Sequence, residues 1–169
     1  MDEALSLGAS AARVTLNKSV TDLVGLLGGE VDKVTRSLDR SIQLILFVDG
    51  RFGTFSLNRF EEGVMEDFML KAVDTTRMLA PDSCRDLPGA RQAHQARSGR
   101  EMDLYDPAWE SMEAPERRSI ALSSSWWGRK SELEKGFTVI SEEGEYSDSC
   151  FDSLVMDTGG LYARHTETS

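Results

Sequence analysis

The feature that most limits the folds open to this chain is a hairpin signal in its first half. Ile42-Gln43-Leu44-Ile45-Leu46-Phe47-Val48 is apolar except at Gln43 and rich in β-branched or aromatic side chains. Its length suits a buried strand and falls far short of the ~20 residues a membrane helix needs. Asp49-Gly50 follows directly, the two-residue turn in which both central residues take positive φ. Phe52 to Leu57 then reads as the antiparallel return strand, with Gly53 permitting a close backbone approach or a bulge.

The hairpin leads into a helix. Asn58 reads as its N-cap, with Glu61 placed to bond back to the cap's own N–H. Phe60, Val64, Phe68, Ala72, Thr75 and Leu79 recur every three or four residues, widened by Met65, Met69 and Val73. That period predicts an amphipathic helix pressed onto a sheet, ended by Pro81. Upstream, residues 2–11 read as a short helix broken at Gly8, which needs something to dock on. Between 12 and 40 two signals compete. Leu23, Leu26, Leu27, Val31, Val34 and Leu38 fall near helical spacing, but Gly25, Gly28 and Gly29 would each cost about 1 kcal/mol inside a helix. The pairs Val14-Thr15, Val20-Thr21 and Val34-Thr35 favour strands, so two strands joined around Gly28-Gly29 are expected. The stretch from Ala12 to Leu79 is thus the unit on which the remainder packs.

Residues 82–113 show no period and mix Arg85, Arg91, Arg97 and Arg100 with small residues. They predict a long surface loop, with Asp103-Leu104-Tyr105-Asp106-Pro107 as a turn docking one aromatic. Pro115 suits the first turn of a second helix, about 115–134, stopped near Gly136 and carrying Ile120, Ser124 and Trp127 on one face. Phe137 to Ser141 reads as a strand, Glu143-Gly144 as a turn and 145–157 as a strand. Thr158-Gly159-Gly160 turns again before Leu161 to Thr168 returns. The predicted class is α+β, an antiparallel β-sheet packed by two main helices in one domain spanning 1–169.

Charge narrows the function. The 169 residues carry a net charge of −10, which argues against direct contact with nucleic acid, whose phosphates are bound by clustered Lys and Arg. Met1-Asp2-Glu3 lacks the basic start of a secretory leader, so a cytoplasmic protein is expected, without membrane contact. Cys84 and Cys150 lie far apart without metal or redox spacing and read as free structural thiols. His94 reads as a solvated loop residue and His165 as a strand residue. Glu142, Glu143 and Glu145 suit a solvated turn, and Ser123-Ser124-Ser125 sits in a helix without a nucleophile elbow. No catalytic or metal residue emerges. Trp126 and Trp127 cannot both face one core from adjacent helix positions, so one is expected at a domain or dimer contact.

Gly29-Glu30-Val31-Asp32-Lys33-Val34, Gly50-Arg51-Phe52-Gly53-Thr54-Phe55-Ser56, the helix after Asn58, Pro81-Asp82 followed by Leu87-Pro88, Leu104-Tyr105-Asp106-Pro107 and the hairpin from Phe137 onward follow one another in order. In that order they resemble the N-terminal domain of the TldD/PmbA family, the so-called modulators of DNA gyrase. The resemblance implies a zinc metallopeptidase lineage that works as dimers, with its metal held by a His-Glu-x-x-x-His signature in a separate C-terminal domain. This chain departs from that signature: neither His94 nor His165 is followed by Glu or joined by a second His within a helical turn. Zinc is therefore expected in a C-terminal domain absent here, and the chain is expected to be inactive alone. The resemblance implies that it walls a peptide cleft and part of the dimer interface, an extended peptide pairing with an exposed strand edge. It implies a partner from the same family, a homo- or heterodimer. The alternative is an inactive scaffold subunit that stabilises an active peptidase. A chain cut at Ser169 is expected to leave Leu161 to Thr168 as an unpaired or poorly paired sheet edge, a liability for self-association.

Overall fold

A computed structural model describes residues 1–87, 96–125 and 140–169. In chain order the elements are α1 (Asp2–Ser6), β1 (Ala11–Leu27), β2 (Glu30–Val48), β3 (Arg51–Leu57), α2 (Glu62–Met78), β4 (Ala96–Gly99), α3 (Ala108–Ser111), α4 (Ala114–Ser124), β5 (Glu143–Asp157) and β6 (Tyr162–Thr168). The strands form a mostly antiparallel sheet in the order β3-β2-β1-β5-β6-β4, and the fold class is α+β as expected. Gly28 (φ 61°) and Gly29 (φ 83°) turn β1 into β2. Inward positions alternate at Asp22, Val24 and Leu26, so the period is two and the helix-like spacing of the leucines is incidental. β2 runs unbroken from Glu30 through the apolar run to Val48. No helix among the described residues is long and apolar enough to cross a membrane.

The chain packs as two compact units. The first comprises Met1–Lys18, Asp39–Asp103 and Asp152–Thr166. Its hairpin pairs Ile42 with Leu57 through to Val48 with Arg51, and Asp49 (φ 50°) and Gly50 (φ 70°) take the predicted positive values. Leu44, Leu46 and Val48 are buried with Ala72 and Val73 of α2 and with Ala4, Ala9 and Ala12. Gly53 is required because a Cβ there would lie 2.4 Å from the Thr76 hydroxyl, so α2 sits close on β3. The apolar face of α2 is Val64, Phe68, Met69, Ala72, Val73 and Thr76. Thr75, Phe60 and Leu79 are exposed, contrary to the predicted stripe. The helix also starts late, because the chain stays extended to Glu61 and Asn58 is no cap. The Glu61 carbonyl accepts the first helical bonds, from Val64 and Met65 at 3.0 Å each.

Two further expectations for this unit are corrected. The stretch after Pro81 is not wholly loop, since β4 pairs in parallel with β6 through Ala96–Ala163 and Gly99–His165. β6 therefore lies between β5 and β4 rather than at a sheet edge. Its turn is held by Asp157, whose carboxylate accepts bonds from the Gly159 and Leu161 amides and from Arg13.

The second unit comprises Ser19–Leu38, Leu104–Phe151 and Glu167–Ser169. Val24, Leu26 and Ala121 form a small buried cluster, flanked by Val31 and Tyr146. Pro115 occupies the first turn of α4, as predicted, but the helix ends at Ser124 rather than near 134. The Ser123 and Ser124 hydroxyls donate to the Ile120 and Ala121 carbonyls at 2.7 Å, offering those carbonyls an alternative to a further helical turn. Its inward residues are Arg117 and Ala121, while Ile120 is exposed. Glu143 and Gly144 open β5 rather than forming a turn, and α3 interrupts the predicted loop. The expected strand from Phe137 lies largely outside the described residues.

Candidate functional site

The buried face of α4 carries a guanidinium where a leucine would be ordinary. Arg117 Nε donates to Asp148 Oδ2 at 2.6 Å and Nη2 donates to Asp148 Oδ1 at 2.9 Å. Nη2 also lies 3.4 Å from Asp22 Oδ2, and Nη1 donates to the Met112 carbonyl. Trp109 Nε1 donates to Asp148 Oδ1 at 2.6 Å, so α3, α4, β1 and β5 meet at one ion-paired cluster. Burial alone would raise the Asp148 pKa, but hydrogen bonding with Arg117, Tyr146 and Trp109 outweighs it and holds the carboxyl below its ordinary range. The Asp148 hydrogen bond correspondingly raises Arg117, and burial raises the Tyr146 phenol. Asp22 Oδ2 is buried without a hydrogen bond, held only by the charges of Arg117 and, at 3.7 Å, Arg36. This arrangement clamps helix to sheet. It presents no nucleophile or proton relay, and its chemistry is positional.

Near it, across a shared cavity, lies a stretch of β2 that no described strand covers on its outer side. β3 pairs with Ile42–Val48 only, so among the described residues no strand pairs with the β3-side edge of Glu30–Leu38. Val34 and Leu38 are 63% and 53% exposed there. Beside Val34 and Thr35 opens a cavity of about 320 Å³, walled by Leu23, Val24, Ala114 and Pro115, with Asp22, Arg117 and Arg118 supplying its charge. A strand edge that no described strand covers, beside a cavity with apolar walls, can take an extended chain, the backbone giving affinity and the cavity selecting a side chain.

The residues singled out from sequence scatter. Trp126, Trp127 and His94 lie outside the described residues. His165 sits in β6 opposite Gly99 of β4. Cys84 is exposed and Cys150 half-buried, and neither forms a disulfide. Glu142 accepts the Ser125 hydroxyl at 3.2 Å through either oxygen, while Glu143 and Glu145 are exposed in β5. Among the described residues no three His, Cys, Asp or Glu side chains gather as a metal ligand set, so zinc does not fit the residues described here. The clamp was missed from sequence. Its trace there is Asp148, which shares a strand face with Tyr146 in an alternating run, and Arg117, one helical turn before Ala121.

No family profile matches the sequence, and no curated protein does. Solved structures do match. A protein from Bacteroides thetaiotaomicron VPI-5482, provisionally described as a modulator of DNA gyrase, has 27% identity and a TM-score of 0.85, covering 99% of this chain and 37% of its own. A second so described, from Thermotoga maritima MSB8, has 16% identity and a TM-score of 0.69, covering 94% of this chain and 33% of its own. TldE from Thermococcus kodakarensis has 16% identity and a TM-score of 0.70, covering 98% of this chain and 35% of its own. The chain spans about a third of the length of the structures it matches.

Proposed function

We propose that this chain, a domain of the TldD/TldE type, serves as the non-catalytic N-terminal domain of a zinc metallopeptidase, walling the cleft that receives an unfolded peptide. The observation that carries the reading is the likeness over 99% of this chain but only 37% of its Bacteroides neighbour, which leaves the greater part of such a protein to house the chemistry. The unpaired stretch of β2 is where the peptide adds as a strand, and the cavity at Val34, Leu23 and Pro115 takes one of its side chains. The Arg117 clamp keeps α4 beside that edge, so the groove is formed before the peptide arrives and little ordering cost falls on binding. Any zinc step belongs to other residues than those described here. One of Trp126 and Trp127 supplies a contact to a second family member, making the working unit a dimer in the cytoplasm.

A photo-crosslinking residue at Val34 tests the peptide reading. With reduced insulin B chain as a generic extended peptide, the crosslink is expected at Val34 and not at Leu70, an exposed position on α2. Equal labelling at both positions overturns it. Light scattering on Trp126→Ala with Trp127→Ala tests the dimer, which is expected to fall to monomer.

A further inference from the structure

The first unit holds a second cavity, of about 280 Å³, that the peptide reading does not use. Four neighbouring strands each bring one charge to it: Arg40 from β2, Lys18 from β1, Asp152 from β5 and Arg164 from β6. The last two satisfy one another. Arg164 donates to both Asp152 oxygens, Nε at 2.9 Å and Nη2 at 2.6 Å, and the Thr166 hydroxyl lies 3.4 Å from Oδ1. Lys18 and Arg40 form no ion pair or hydrogen bond among the described residues. The charge of Lys18 helps to hold Asp152 ionised, but neither Lys18 nor Arg40 is closely paired, so the cavity carries three cations to one carboxylate in a chain whose net charge is −10.

Asn17 also lines it, its Oδ1 accepting the Ser153 hydroxyl at 2.8 Å, and the rest of the lining is largely apolar. Leu16 and Leu154 come from β1 and β5, and the rings of Phe60 and Tyr162 are 43% and 37% exposed. The volume admits a body of a few carbons more readily than a nucleotide, since drug-sized ligands fill about 300–1,000 Å³. Asp152 is held ionised by its hydrogen bond with Arg164, so a dianion such as phosphate would meet a fixed like charge. A monoanion with an apolar tail suits the volume and meets half the repulsion from Asp152 that a dianion would.

We propose that this cavity binds a small carboxylate with an apolar body, its anion between Lys18 and Arg40 and its tail against Leu16, Leu154 and the two rings. The same chemistry occurs in a free organic acid and in the apolar C-terminal residue of a peptide. The proposal is independent of the peptide edge on β2.

Calorimetric titration of the whole chain with N-acetyl-leucine tests it against N-acetyl-leucinamide, which keeps the body and removes the charge. The acid is expected to bind at least about tenfold more tightly, the scale of one charge-assisted hydrogen bond. Lys18→Met with Arg40→Met should lose that binding while the melting temperature stays put, and Phe60→Ser should weaken acid and amide alike. A leucine-ended peptide that binds more tightly than N-acetyl-leucine, and loses this on amidation, assigns the natural ligand to chain ends. Equal affinity assigns it to free acids. The proposal is overturned if the acid fails to bind at millimolar concentration, if the amide binds as well, or if the double variant binds unchanged.

Discussion

The two units are held by different physics. In the first, Leu44, Leu46 and Val48 bury against Ala72 and Val73, and no charge takes part in that cluster. In the second, the apolar cluster is only Val24, Leu26 and Ala121 with two flanking residues, and Arg117 and its two aspartates lie alongside. A cluster this small stabilises weakly. The clamp contributes specificity of placement instead, because a buried guanidinium tolerates few alternative positions for α4. A core of side chains suits a scaffold, and a charged clamp suits a helix that must stand at a fixed place beside the proposed binding edge.

Removing one member of the clamp should have the largest effect. Arg117→Ala leaves Asp148 buried without its cation and Asp22 with only Arg36 at 3.7 Å, and should cost about 3–5 kcal/mol in denaturant unfolding. Replacing Asp22, Arg117 and Asp148 together by Leu, Met and Leu should cost far less, since no orphan charge remains. If the triple variant is as damaged as the single one, the contrast between the units fails.

Leu46→Ala should cost about 3 kcal/mol through the cavity it leaves in the first unit, and should be insensitive to pH. The pH dependence of the clamp sharpens the difference. The Asp148 carboxyl sits below its unfolded value of about 3.9, so its contribution is present above that pH and is lost as the pH falls through the lower folded value. Asp152 and Asp157 of the first unit are held low as well, so the reference must be Asp148→Asn in the same chain. Between pH 5 and 2 the unaltered chain should lose stability more steeply than that variant, by at most about 1.4 kcal/mol per pH unit. At the small end, Asp67→Ala removes an exposed i,i+4 pair with Lys71 and should change stability by about 0.5 kcal/mol or less.

The same contrast decides what the sequence makes legible. The first unit follows local rules: Asp49-Gly50 needs positive φ, Leu44, Leu46 and Val48 alternate, and α2 shows its period from Val64 to Val73. Its errors are small shifts, a cap misplaced from Glu61 to Asn58 and a stripe rotated onto Thr75. The clamp obeys no local rule. Arg117 and Asp148 are separated by 31 positions, and each alone looks like a solvated charge. Only the pairing of α4 with β5 turns them into partners. The open edge of β2 was equally hidden, because residues 30–40 carry no sign of which strands fail to reach them. The resemblance suggested that some edge would pair with a peptide. It named no particular strand for this; Leu161 to Thr168 was expected as a poorly paired edge prone to self-association, and β4 lies beside it instead.

The central claim, that Glu30–Leu38 is an edge awaiting an extended chain, is tested most directly by amide hydrogen exchange read residue by residue. With reduced insulin B chain added, exchange should slow within Glu30–Leu38 and stay unchanged across Ile42–Val48, where β3 already pairs. No slowing within Glu30–Leu38 at saturating peptide, or slowing elsewhere instead, would contradict it.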